Sequence, residues 1–367
     1  MREPLRVLLL TPTALPRMTG NAITAERWRR LLTERGLLVR VLSTEALCSR
    51  DLIKMVDDFL PDIIHGHHAT KSGRFLLDPL IARRCAGLPF VVSPAGTDVN
   101  GQEGGQGRPE QVLQVLRRAQ VIITQNSWLV PWLRQHAATL CRRVLYVAKS
   151  VVFMGDTPFD LRKACGWQPD ETVFFFPSGI RPVKNNLACL QALESVFKDR
   201  RRLRAVFAGP VLDDAYGSRF LAEIRRLSGF VRWLPSIPPE SMAAAYASAD
   251  VVLNASSSEG LANVILEGMT VGRPVLASDI AGNRLPLAGE PGGEPCGILF
   301  NPGDPGDFHR QALTLMDDGK LQAALGMAGQ ARMAAFFHPE AEADGLLKAY
   351  TLAAERHQDG GGYTAAP

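Results

Sequence analysis

The chain has 367 residues, 46% of them hydrophobic and 21% charged, with a formal net charge of +4. That length predicts two domains, each with a core of its own, and the composition excludes disordered and collagen-like classes. A mild positive charge without interleaved aromatic residues excludes a nucleic-acid binder, while admitting an anionic small ligand or weak peripheral contact with an acidic membrane surface.

The first predicted element lies in MREPLRVLLLTPTALP, where the apolar run is short and ends in prolines. It reads as a buried strand and not as a signal peptide. No stretch approaches membrane-spanning length. The six cysteines, at 48, 85, 141, 165, 189 and 296, form no CxxC pair, which points to a reducing compartment and a cytoplasmic protein with neither zinc site nor disulfide framework.

Short runs rich in Val and Ile then alternate with helical patterns: LRVLLL, LLVRVLS, DIIHG, PFVVSP and QVIITQ, up to about residue 150. A second series follows Gly155 and Pro158: TVFFFPSG, LRAVFAGP, VRWLPS, DVVLNAS and RPVLASD. Such alternation predicts parallel sheets with crossover helices on both faces. The expected fold class is therefore α/β, two doubly wound Rossmann-like domains with their parallel sheets facing a central cleft. The expected divisions are residues 1–150, 151–335, a C-terminal helix over 336–356 that packs back towards the N-terminal domain, and a disordered tail over 357–367. Ligands of such folds bind outside the carboxyl ends of the strands, so the residues just after each strand are the candidates for chemistry.

In the first domain these include Thr19-Gly20-Asn21, where Gly20 admits close approach of the backbone to a ligand or marks a plain connecting turn. His65, His67 and His68 follow another strand. His67 and His68 are candidates to contact acceptor or sugar, with packing or solvent exposure as the alternative. GQEGGQGR at 101–108 does not lead directly from strand to helix, so it is no dinucleotide fingerprint; it reads as a mobile acceptor loop. In the second domain Gly179 suits a close backbone approach, while Arg181 and Lys184 suit a diphosphate or are surface charges on a turn. KDRRRLR at 198–204 reads as a solvated face, with membrane attraction as the alternative.

DVVLNASSSEGLANVILEGMTVG places Gly260, Leu261 and Ala262 at a helix start, where backbone amides favour phosphate. Glu259 and Glu267 then suit vicinal hydroxyls of a sugar or ribose, or else complement the helix dipole and sit exposed. Diphosphate, ribose and hexose together describe a nucleotide sugar.

At these residues the sequence resembles the retaining glycosyltransferases of the GT-B fold, family 4. The resemblance covers nearly the whole chain and is most specific from Ser178 to Asn283, through G-x-R-x-x-K (Gly179 to Lys184) and E-x7-E (Glu259 to Glu267). It implies that Glu259 contacts the donor sugar, that Glu267 holds the ribose, and that Arg181 and Lys184 hold the diphosphate. Gly20 and Asn21 would belong to the family's glycine loop under that diphosphate. TGN-x-x-TA-x-R with AGTDVN resembles a smaller branch, the glycosyltransferase 1 domain-containing proteins. Ala95 stands where many members have a histidine, leaving Asp98 as the nearest titratable catalytic candidate, with turn capping as its alternative.

The resemblance implies a hexosyltransferase acting on a nucleotide sugar, expectedly a UDP-sugar, and an acceptor left open. The donor is a substrate, and no cofactor is expected. No DxD motif stands at a strand end, and Arg181 with Lys184 can neutralise the leaving group, so no metal is required. Two alternatives remain: a thiosugar or selenosugar synthase, which TGN-x-x-TA-x-RW also resembles, and an inactive nucleotide-sugar-binding protein, motivated by Ala95.

Overall fold

The computed structural model describes residues 3–17, 19–95, 98, 109–126, 128–288 and 294–359. The GQEGGQGR segment lies outside the described residues, as does the tail from 360 onward. The chain folds as two compact units, residues 1–149 with 338–367, and residues 150–337.

The first unit holds a six-stranded sheet: β1 (Arg6–Thr11), β2 (Leu38–Ser43), β3 (Ile63–His67), β4 (Phe90–Ser93), β5 (Val121–Thr124) and β6 (Val144–Tyr146). All pairs are parallel, in the order β2-β1-β3-β4-β5-β6. Leu8 and Leu10 of β1 face one core cluster, and Val7 and Leu9 the other. Both faces are therefore covered, as uninterrupted apolar strands require. On the second face lie Trp28 of the helix Gly20–Glu34 and Leu346, Ala349, Tyr350 and Ala353 of the helix Pro339–Asp359. That last helix contacts β4 and β5 as well as the first helix. It runs to Asp359, so residues 357–359, expected in the tail, are helical.

The second unit holds β7 (Thr172–Pro177), β8 (Leu203–Ala208), β9 (Val231–Leu234), β10 (Val251–Asn254), β11 (Val275–Ser278) and β12 (Ile298–Phe300), parallel in the order β12-β11-β10-β7-β8-β9. Again the strand alternation fills two cores: Phe174 and Phe176 of β7 on one face, Val173 and Phe175 on the other. In this order the chain leaves β7 to one side, through β8 and β9, then returns to β10 on the other side. The carboxyl ends of β7 and β10 thus flank a topological switch point, where crossover helices diverge and leave a crevice. The corresponding point of the first unit lies between β1 and β3.

The basic run at 198–204 spends its charges internally: Arg200 pairs with Asp317, Arg202 with Asp170, Arg204 with Glu171, and Arg201 lies over the Phe197 ring. No helix among the described residues is long and apolar enough to cross a membrane.

Candidate functional site

Two loops meet at the switch point of the second unit. The loop after β7 runs through Ser178 to a 3-10 turn, Pro182–Lys184, and enters the helix Asn186–Asp199 through Asn185. Asn185 has φ +57°, a left-handed conformation that asparagine tolerates better than most residues. Buried Asn186 braces the loop, donating from Nδ2 to Ser178 Oγ (3.0 Å) and accepting the Arg181 amide at Oδ1 (3.2 Å). The loop after β10 is tied to it by the Ser257 amide, which donates to the Val183 carbonyl (2.9 Å).

Across this junction Lys184 Nζ donates to Glu259 Oε1 at 2.5 Å, joining side chains 75 positions apart in sequence. Ser256 Oγ donates to the same carboxylate oxygen at 2.7 Å. Both members of the pair are mostly buried, 17% and 14% exposed, so each offsets much of the other's desolvation. Arg181 Nε is buried and has no hydrogen-bond partner among the described residues. An unpaired buried N–H donor on a cation is costly unless an anion reaches it.

The helix expected from Gly260 begins instead at Asn263, with Ala262 as its N-cap and no side-chain acceptor for its first amides. Leu261 and Ala262 are buried in the apolar core and anchor the turn, so the amides ahead of the helix dipole are those from Asn263 onward. A Cβ at Gly179 would meet the end of the exposed Leu212 side chain.

Glu267 accepts a hydrogen bond at Oε2 from the Tyr246 hydroxyl. Burial first, and then the Glu267 charge, raise the Tyr246 pKa well above its usual value, so the phenol stays a donor. The turn behind Glu259 is a polar lattice. Ser278 Oγ donates to the Ser256 carbonyl (2.6 Å), Asn283 Nδ2 to the Ser278 carbonyl (2.9 Å), and the Ser256 amide to Asn254 Oδ1 (3.0 Å). Gly282 lies against the Glu259 backbone; a Cβ there would sit 3.0 Å from the Glu259 Cβ. Tyr246, Asn254, Ser256, Gly282 and Asn283 were not singled out from the sequence, because their partners are brought together only by the fold. Gly282 and Asn283, adjacent in the stretch after RPVLASD, were the nearest to a local signal.

In the first unit Thr19 caps its helix by accepting the Ala22 amide (3.2 Å), which makes Gly20 and Asn21 the first two helical residues. Gly20 is exposed, and a side chain there would meet nothing within 4 Å. No packing requirement explains this glycine, and its backbone is open to approach. His65 is fully buried, hydrogen-bonded to Ser93 Oγ (2.7 Å) and the Tyr350 hydroxyl (3.0 Å) and stacked on Trp28. Burial pulls its pKa down to about 3. His67 lies edge-on to Trp28, and its buried Nδ1 has no hydrogen-bond partner among the described residues. Burial, and then the neighbouring positive groups, keep it neutral.

His68 has φ +78° and closes its own loop, accepting the Lys71 amide at Nδ1 (3.2 Å). Asp98 accepts the Ala69 amide at 2.6 Å and the Ala95 amide at 3.1 Å. His68 Nδ1 also lies 3.6 Å from Asp98 Oδ2, so the two residues shape these loops together. A buried polar group missed in the sequence lies nearby: Glu342 accepts from Arg27 Nε (2.8 Å), Arg27 Nη2 (3.0 Å), Trp28 Nε1 (2.7 Å) and Gln125 Nε2 (2.8 Å). Among the described residues no three His, Cys, Asp or Glu side chains converge as a metal site.

Two family models match the chain: "Glycosyl transferase 4-like" over residues 6–126 and "Glycosyl transferases group 1" over residues 171–318. The D-inositol 3-phosphate glycosyltransferase of Segniliparus rotundus is 30% identical over 195 residues, 52% of this chain and 42% of the relative. The chain spans about half the length of this and similar curated relatives. Among solved structures, sucrose-phosphate synthase from Thermosynechococcus elongatus superposes with a TM-score of 0.78 at 18% identity, covering 95% of this chain and 98% of the other. Anabaena Alr3699/HepE, in complex with UDP and glucose, gives 0.73 at 17% identity, covering 95% and 99%. With both halves matched by glycosyltransferase models and the two parallel six-stranded sheets matched by these structures, the chain belongs to glycosyltransferase family 4 and has the GT-B fold.

Proposed function

We propose that the protein transfers a hexose from a nucleotide sugar, a UDP-sugar first among the candidates, to an acceptor with retention of anomeric configuration and without a metal. The observation that carries this reading is the Lys184–Glu259 contact at the switch point of the second unit. It sets a cation for the diphosphate beside a carboxylate for sugar hydroxyls, next to a helix start with no side-chain cap. Arg181, with its unpartnered buried Nε, is the second phosphate ligand. Glu267, oriented by Tyr246, accepts ribose hydroxyls. In the first unit, Gly20 and Asn21 offer an open helix start to a ligand phosphate, and His67 is the histidine with ring capacity left for a substrate hydroxyl.

In the reaction the bond from the sugar anomeric carbon to the diphosphate oxygen breaks and a bond to the acceptor oxygen forms on the same face. The acceptor proton passes to the leaving diphosphate, whose charge Arg181 and Lys184 stabilise. HepE, a neighbour in fold, was solved with UDP and glucose, in keeping with a UDP-sugar donor. The test is to incubate purified protein with UDP-, GDP- and ADP-sugars in excess chelator and follow donor hydrolysis or transfer. Turnover with retained configuration supports the reading. Binding without turnover favours an inactive binding protein, and turnover that only magnesium or manganese restores removes the metal-free step.

A further inference from the structure

The first unit contains a cavity of about 1010 Å³ that none of the candidate site residues above lines. Its wall includes Phe90, the first residue of β4, together with Gln120 and Arg143, which immediately precede β5 and β6. It therefore opens at the amino ends of these strands, whereas His67 ends β3 at its carboxyl end and His68 and Asp98 follow carboxyl ends. Six arginines line it, at 83, 117, 118, 142, 143 and 356, and no Asp or Glu does.

Part of this charge has an internal explanation. The arginines close helices and turns that end here, Pro79–Arg84, Pro109–Arg118, Ala138–Arg143 and Pro339–Asp359, where cations complement the dipole. Arg143 donates to the carbonyls of Arg117 (2.9 Å) and Ala119 (2.8 Å), and Arg356 to those of Gln120 (2.9 Å) and Arg142 (3.2 Å). Arg117 pairs with Glu110. Arg83 and Arg142 are different. Both are exposed, and neither guanidinium makes a hydrogen bond or ion pair with the described residues. Burial and the charges of Arg142 and Arg356 lower the Arg143 pKa, which marks like charges crowded together. Such crowding is unfavourable unless an anion relieves it. Leu77, Leu88 and Phe90 supply an apolar wall beside the cations.

We propose that this cavity binds a phosphorylated ligand, its phosphate on Arg83 and Arg142 and its apolar portion against Leu77, Leu88 and Phe90. Phosphate could reach it from a free phosphorylated compound or from the headgroup of an anionic lipid. Two probes separate the sources: tripolyphosphate titrated in solution, and phosphatidylcholine vesicles carrying about a third phosphatidic acid. Each is measured on the full chain, on Arg83→Glu/Arg142→Glu, on the milder Arg83→Gln/Arg142→Gln, and on Lys184→Ala. Either probe alone, or both, should bind the wild type. Binding should fall at least about tenfold in the charge-reversed double variant, less in the Gln variant, and weaken with added salt. Nucleotide-sugar turnover and the unfolding midpoint of both double variants should match the wild type, so this outcome stands apart from the fate of the donor site. No binding of either probe, binding indifferent to both double variants, or binding lost only in Lys184→Ala would overturn the proposal.

Discussion

Lys184 and Glu259 hold each other in a mostly buried pair, so a diphosphate arriving at Lys184 shares the ammonium with the carboxylate or displaces it. Under the proposed function, displacement would free Glu259 for a sugar hydroxyl and so link donor binding to orientation of the sugar. Glu259→Gln should therefore leave nucleoside diphosphate affinity nearly intact, or raise it, while turnover with the intact donor falls. Equal weakening of the bare diphosphate in Glu259→Gln and Glu267→Gln would contradict this division. A second prediction rests on the buried histidines. Unfolded, their rings take up protons near pH 6.5; folded, His65 does so only at about 3 and His67 well below its usual value. Their contribution is present above about pH 6.5 and is lost as pH falls towards the folded values. Between pH 7 and 5, His65 alone should cost about 2 kcal/mol, with His67 adding in the same direction. The unfolding midpoint, followed by circular dichroism, should drop by several degrees over that window; a flat profile would mean that these rings protonate in the native state. Arg181, Lys184, Glu259 and Glu267 were legible as candidates because each stands in a short motif after a strand. Tyr246 and Asn283 were not, since nothing in their local sequence states what they touch.

At the level of elements, the helix Pro339–Asp359 completes the first unit through apolar residues and one polar anchor. Glu342 is fully buried against Arg27. Removing one member of such a pair leaves an uncompensated charge, so Glu342→Ala should cost about 3–5 kcal/mol in urea denaturation. Replacing both, as Arg27→Met/Glu342→Leu, should recover much of that loss, whereas a double variant as unstable as the single one would assign the loss to packing. The helix Ala281–Ala288 acts on the site through contact: Gly282→Ala should press on the Glu259 backbone and lower turnover. Its thermal midpoint should move little, and unaltered turnover would show that the loop yields freely. Element types were readable from period and composition, as in TVFFFP and DVVLNAS. Boundaries were less so. SSSEGLA carries small residues that suit a turn or a helix start equally, and burial of Leu261 and Ala262 decides for the turn. β6 has only three residues at a sheet edge, too few for a pattern to stand out.

For the whole molecule, two doubly wound units were predictable from strands alternating with helices, because parallel strands need crossovers. Strand order was not, although it creates the switch point between β7 and β10. Nor did sequence spacing announce that six arginines from four separate segments would line one cavity. A ligand that binds only the folded protein stabilises it by about 2.7 kcal/mol at a concentration of 100 times its Kd. The central claim, that the loops after β7 and β10 hold a nucleoside diphosphate through Lys184, is tested most directly by calorimetric titration of UDP, in chelator, into wild type and Lys184→Ala. Loss of one charge-assisted contact worth about 1.5–3 kcal/mol predicts affinity weakened about ten- to hundredfold in a variant that remains folded. UDP binding of equal strength in the two proteins would contradict the account.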